Sequence, residues 1–452
     1  MKAKNELTDG KLYPSLIRFT IPFLLSSLLQ NLYGTVDLLV IGNFSTKANV
    51  SAVATGSEVM TLVTFFILGL TTGATVLIGQ FLGAKQYKTV AEVIGNSIFV
   101  FGGLSVCMMV LFLFIHPYIL HLLNIPAQAE AAANTYTMIC SLGIPLIVGY
   151  NTVCAILRGM GDSKSPLIFV AIACAVNIAG DLLLSGALCM GAAGVAISTV
   201  LAQGISFIAA LLFLGKKGMG IPFSAKDIRL SAGMAKRIIA LGIPIGVKSI
   251  LVNLSFMLLT SIINAMGVSY SAAMGVGDKI VGFAFLPQTS FATSISVVVA
   301  QNMGAGKPER AKKATIYGMI TCTAIGFLFF AYSQFFPTVL PSLFTKDAEV
   351  QVMCGMYIKA FSYDAILTSI IFCLTSMFTG CGKSTFTMLQ DLAPTFLVRV
   401  PATYLISRMA GATLFQIGLA APFASMMGMI ICLIYLKSGR WKQGILTEKE
   451  AA

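Results

Sequence analysis

Long uncharged apolar runs, such as 99–115 and 205–214, leave few folds open to this chain. Each is continuously apolar. A membrane strand would alternate between a lipid face and a polar lumen face, whereas about 20 consecutive apolar residues form a spanning helix. Twelve such segments can be placed, at about 14–42, 50–80, 90–115, 130–156, 165–187, 192–215, 236–264, 270–302, 312–337, 350–379, 386–408 and 412–437. Composition agrees: of 452 residues, 57% are hydrophobic and 10% charged, against about 25% charged in an ordinary soluble domain. A soluble enzyme, a disordered chain and a disulfide-rich or collagen-like scaffold are excluded. The expected fold is an all-α membrane protein. Residues 1–10 are polar and mixed in charge, without the pattern of a cleavable signal.

Positive charge orients such a bundle. Of the 30 Lys and Arg, 22 fall in the even-numbered loops and the two tails, and Lys47, Lys346 and Arg408 fall in the odd-numbered loops. This bias predicts an even number of spans in the cytoplasmic (inner) membrane, with both termini cytoplasmic. The net charge of +13 is then a topology signal that needs no nucleic acid to explain it. A basic surface also suits anionic lipid headgroups. The ten cysteines are scattered without a C-x-x-C pair and read as small buried apolar residues. His116 and His121 sit near the end of the third span and read as interfacial. Two histidines leave little room for His-based catalysis or metal chemistry, so neither an enzyme nor a cofactor is expected.

The two halves repeat at one offset. Gln80–Lys85 recurs as Gln301–Lys307, and Gly159-Met160-Gly161 as Gly380-Cys381-Gly382, each 221 residues on. Ile21-Pro22 recurs as Ile243-Pro244, and Asn31 as Asn253, at 222, and Glu58 pairs with Asp278 at 220. Six spans per half make this a parallel repeat about an axis along the membrane normal, an arrangement that builds transporters. The expected organisation is an N-lobe over 1–214, a cytoplasmic linker over 215–237 and a C-lobe over 238–452. Mid-span Pro22, Pro145, Pro244, Pro287, Pro394 and Pro401 permit kinks, or simply pack in bent helices. Gly382-Lys383-Ser384 mimics a phosphate loop, but Met377 stands where that motif needs glycine.

Charge inside a membrane is costly and therefore a functional candidate. Asp37 and Asp181 lie about five and six residues below the outer ends of spans one and five, and Thr199 about six residues into span six. At 1.5 Å per residue all three are roughly 8–9 Å deep. Asn177 is one turn from Asp181 on the same face. Two carboxylates, an amide and a hydroxyl at one depth suit a hard cation such as sodium, or a shared proton. The plainer alternative is that these groups bond neighbouring backbone or hold helices together. Asp364 in span ten is a second candidate, and Lys248, Glu58 and Arg399 are further ones, whereas Asp278 and Lys279 are adjacent and so do not face each other on one helix.

These residues resemble a known family, the multidrug and toxic compound extrusion (MATE) transporters, over about 12–437. The resemblance rests on Pro22 followed by Asp37, on Gln80 to Lys85, on Arg158-Gly159-Met160-Gly161-Asp162, and on Asn177 with Asp181. It implies twelve helices in two six-helix lobes about a V-shaped cavity, and export of cationic or amphipathic compounds in exchange for protons or sodium. Asp37, Asp181, Asn177 and Thr199 resemble the N-lobe cation site of the DinF-like branch, in which a kink at Pro22 accompanies protonation. The NorM-like branch has an acid in helix seven, where this chain has Asn253 and Ser255. Asp364 is similar to that branch's helix-ten acid.

The expected function is therefore a cation-coupled multidrug antiporter working by alternating access. Its partners would be small organic cations or amphipathic drugs and the lipid bilayer, with the chain a monomer. The first rival is a flippase for a lipid-linked precursor, which needs a cationic cavity for phosphate. The second, an intramembrane enzyme, has no clustered His, Cys or Ser constellation to support it.

Overall fold

Apolar length dictates the helices of this protein, a computed structural model of which describes residues 6–218 and 220–442. Lys2, Lys4 and Lys449, which contribute to the expected orientation, lie outside the described residues. The first three spans are α1 (Leu12–Phe44), α2 (Lys47–Gly83) and α3 (Tyr87–Leu122). Next come α4, in two pieces (Ala127–Leu142, Ile144–Gly159), α5 (Lys164–Asp181, continued by the π turn Leu182–Ala187) and α6 (Gly191–Lys217). The second series is α7 (Ala232–Asn264), α8 in two pieces (Val268–Ala284, Leu286–Gly304), α9 (Pro308–Phe335) and α10 (Ala348–Gly380). It ends with α11 (Ser384–Pro394, the π turn Thr395–Arg399, Val400–Ser407) and α12 (Leu414–Gly418, Ala420–Lys437). Among the described residues there is no strand. Large apolar side chains face outward, with Phe114, Leu328 and Ile434 exposed by 73%, 68% and 66%. Such faces belong in lipid, and the protein is a multi-pass membrane protein.

The prolines behave in three ways. Proline has no N–H to donate and crowds the carbonyl four residues back. Pro145 and Pro287 begin the second pieces of α4 and α8, and those helices bend there by 48° and 41°. Pro394 and Pro401 lie on either side of the π turn in α11. By contrast α1 and α7 run unbroken through Pro22 and Pro244.

The chain divides into two compact units, one of Leu25–Gly246 and one of Met1–Leu24 with Val247–Ala452. Helices α1 and α7 thus each contribute to both. In the second unit, Leu16, Phe19 and Phe23 of α1 join a core with Val299 and Phe378. Asn302 donates to the Leu7 carbonyl at 3.2 Å, and Lys307 pairs with Asp9 at 2.7 Å. In the first unit, glycines bring α7 against α2. A Cβ on Gly69 would lie 2.4 Å from the Gly246 Cα, and one on Gly73 2.7 Å from the Gly242 nitrogen.

The sequence repeat has a structural meaning. Two of its landmarks, Gln80–Lys85 and Gly159-Met160-Gly161 with their repeats, are helix ends closed by Schellman turns, in which the N–H beyond a left-handed residue reaches back five positions. The bonds are Gln86 to Phe81 (2.9 Å), Asp162 to Leu157 (2.9 Å), Lys307 to Asn302 (2.8 Å) and Lys383 to Phe378 (2.8 Å). The left-handed positions are Lys85, Gly161, Gly306 and Gly382. The packing repeats too. Gly159 sits against Ile78 and the Thr75 carbonyl, and Gly380 against Val299 and the Ser296 carbonyl. Gly382-Lys383-Ser384 is therefore a helix end followed by a helix start.

Candidate cation site

The four residues expected to form the site do meet, within the unit 25–246. Asp37 lies on α1, seven residues before its end. Asp181 is the last residue of α5 before the backbone widens into the π turn Leu182–Ala187. Such π turns locally re-aim a helix and recur at functional sites. Asp37 and Asp181 are 7% and 0% exposed, and their carboxyl groups face each other directly, with the amide of Asn177 beside Asp37. The Asn177 amide lies 3.4 Å from both Ser198 Oγ and Thr199 Oγ1 on α6. Ser198 donates its hydroxyl hydrogen to the Asn177 carbonyl at 2.7 Å.

Small residues allow this closeness. A Cβ on Gly180 would lie 2.6 Å from Ser198 Oγ, and one on Gly194 2.5 Å from Ser185 Oγ. Glycine at these two positions lets α5 and α6 approach until their polar groups touch.

Buried polar atoms almost always have partners. Both Asp181 oxygens, Oδ1 of Asp37 and Oδ1 of Asn177 are buried without a hydrogen-bond donor. Two facing carboxylates in a low-dielectric setting repel each other and need positive charge between them. The oxygen-rich set is what a hard cation uses, and a proton shared between the two acids also meets the need.

Three further residues flank this group. Ser198 is the α6 anchor. Tyr33, one turn before Asp37, contacts Gln203, one turn after Thr199. Their spacings of four from Asp37 and Thr199 were the available signal.

The other candidates lie in the second unit. Asp364 is 4% exposed, contacts Ser425 and leaves Oδ1 without a donor. Arg399, at the end of the α11 π turn, stacks on Phe256 with its guanidinium carbon 4.3 Å from the ring centre. Lys248 pairs with Asp391 at 3.0 Å. Asn253 spends its amide on the Ser249 carbonyl one turn back, at 2.8 Å. Of the cations at or near depth that a flippase could aim at phosphate (Arg18, Lys248, Lys279, Lys359 and Arg399), Lys248 is engaged by a carboxylate and Arg399 by an aromatic face.

Comparison with known proteins agrees with this architecture. The probable multidrug resistance protein YpnP of Bacillus subtilis (strain 168) is 28% identical over 450 residues, covering 99% of this chain and 100% of that protein. Two solved structures share the fold. One is a MOP superfamily transporter from Pyrococcus furiosus Vc1, whose binding pocket is described as reversed in polarity, suggesting a different function for it. Its TM-score is 0.91 at 20% identity, covering 98% of this chain and 100% of that one. The other is an outward-facing multidrug resistance MATE family transporter, with TM-score 0.89 at 19% identity, covering 97% and 98%. The MatE family model matches residues 22–183 and again 244–405, the same doubling seen in the repeat. The chain belongs to the MatE family: it is a twelve-helix, two-lobe membrane transporter and not an enzyme.

Proposed function

We propose that this protein exports cationic or amphipathic drugs across the cytoplasmic membrane in exchange for an inward-moving proton or sodium ion. The carrying observation is the buried pair Asp37 and Asp181, whose carboxyl groups face each other and leave three of their four oxygens without a donor. Asn177 and Thr199 complete the oxygen set. A cation entering from outside neutralises the pair, and its release to the cytoplasm restores the repulsion. That cycle gives two charge states for one site, which alternating access requires. Pro22, fifteen residues before Asp37 on the same helix, is the proposed point of flexure. Asp364 is a second acid with an unpartnered oxygen and is proposed as a subsidiary coupling group. The basic loops face the cytoplasm by the positive-inside rule, with both termini on that side. The multidrug resistance relative supports the substrate class.

The test uses the chain as a monomer in proteoliposomes, with proton and sodium gradients imposed separately and a fluorescent cation such as ethidium followed. Counter-movement of ethidium driven by either gradient is expected. No movement under either gradient, with correctly inserted protein, overturns the reading.

A further inference from the structure

The unit 25–246 contains a cavity of about 710 Å³ that lies apart from the carboxylate pair. That size falls within the roughly 300–1,000 Å³ of ligand pockets. Its walls are apolar: Ile98 and Gly102 of α3, Val148 and Thr152 of α4, and Phe207 and Leu211 of α6. The two wall hydroxyls bond their own helices. Thr152 donates to the Val148 carbonyl at 2.7 Å and Ser105 to the Gly102 carbonyl at 2.6 Å. The walls thus offer hydrocarbon contact and no free hydroxyl for a polar ligand.

The segment joining the two repeats roofs this cavity with Ile221, Phe223 and Ile228. It is pinned in place. The backbone of Asp227 fills the space above Gly95, where a Cβ would lie 1.8 Å from the Asp227 carbonyl oxygen. Ser231 N–H donates to Oδ1 of the fully buried Asn96 at 2.8 Å. Ser224 caps the short turn Ala225–Asp227, with the Asp227 carboxylate accepting from Ser224 N–H at 2.8 Å.

The rim is basic. Segments 85–96 and 214–237 carry eight Lys and Arg against two acids, Glu92 and Asp227. Lys216 adjoins the wall at Gly215, Lys226 and Arg229 flank the roof residue Ile228, and all three are exposed. An apolar cavity whose lining residues Gly215 and Ile228 have exposed basic neighbours in sequence matches an amphiphile whose tail is hydrocarbon and whose head is anionic, and it disfavours a cationic drug.

We propose that this cavity is a binding site for an anionic phospholipid, with an acyl chain between α3, α4 and α6 beneath the strap and the phosphate at Lys216, Lys226 and Arg229. The site is separate from the coupling carboxylates, and its test does not depend on transport.

Native mass spectrometry of the full-length protein, given equal phosphatidylglycerol and phosphatidylethanolamine of identical chains, provides the test. Phosphatidylglycerol should be retained preferentially. Gly102→Phe fills the cavity from a position where a Cβ meets nothing within 4 Å, and should abolish retention. Lys226→Gln with Arg229→Gln leaves the cavity intact, and should lower the preference about fivefold for each charge removed. These surface changes decide the matter if Gly102→Phe does not fold. Equal retention of both lipids by the parent, or an unchanged preference in the double variant, would overturn the proposal. Unchanged phosphatidylglycerol retention by folded Gly102→Phe, or its displacement by ethidium, would do the same.

Discussion

Ser198 on α6 donates its hydroxyl hydrogen to the backbone carbonyl of Asn177 on α5 at 2.7 Å, and this bond ties α6 to the residue whose amide lies beside Asp37. Interhelical hydrogen bonds within membranes contribute about 0.6 kcal/mol on average, so Ser198→Ala should lower stability by about that amount. Gly180→Ala should cost more, about 1–3 kcal/mol, because overpacking strains both helices and the new Cβ would lie 2.6 Å from Ser198 Oγ. The double variant removes the closest clashing atom and should cost less than the sum. Thermal unfolding of the four proteins in detergent measures this coupling.

The repeated Schellman turns differ at one informative position. Lys85 has φ 60° where its repeat mate Gly306 has φ 68°. A side chain in that region costs about 1 kcal/mol, and glycine there is nearly free of that penalty. Lys85→Gly should therefore raise stability by about 1 kcal/mol. Gly306→Ala should lower it by a similar amount, although a Cβ there meets nothing within 4 Å. Opposite shifts in unfolding temperature are the expected outcome.

The helices were legible in the sequence because lipid imposes one rule, apolar length, on every span. The breaks at Pro145 and Pro287 were equally legible, since proline removes a donor wherever it stands. Asp37 and Asp181 stand out because charge is so rare in these spans, Thr199 because it shares their depth, and Asn177 because it lies one turn from Asp181. Ser198, Tyr33 and Gln203 were not, since hydroxyls and amides also occur on helices as ordinary packing groups. Asp391 escaped notice for a different reason: it lies near the start of α11, and only the fold reveals Lys248 as its partner. The sharing of α1 and α7 between two units was illegible as well. Hydropathy reports that a segment is buried in lipid or protein, and not which neighbours bury it.

Lys248 and Asp391 form an ion pair at 3.0 Å with both side chains about one-fifth exposed. Removing one partner leaves the other charge half-buried and without its hydrogen bond. Lys248→Gln and Asp391→Asn should each destabilise by about 1.5–3 kcal/mol. The exchange Lys248→Asp with Asp391→Lys should recover a substantial part of that loss. A structural ion pair gives this pattern in unfolding temperature, and it should hold whether or not transport is assayed.

The central claim is that Asp37 and Asp181 carry the coupling cation. Gradient-driven ethidium efflux from proteoliposomes reconstituted with Asp37→Asn or Asp181→Asn, at protein levels matched to the parent, tests it most directly. Asparagine keeps the shape of the side chain and removes the charge that a proton or sodium ion must neutralise. Each variant should lose efflux under the gradient that drives the parent. Efflux by both variants at the parent's rate would contradict it.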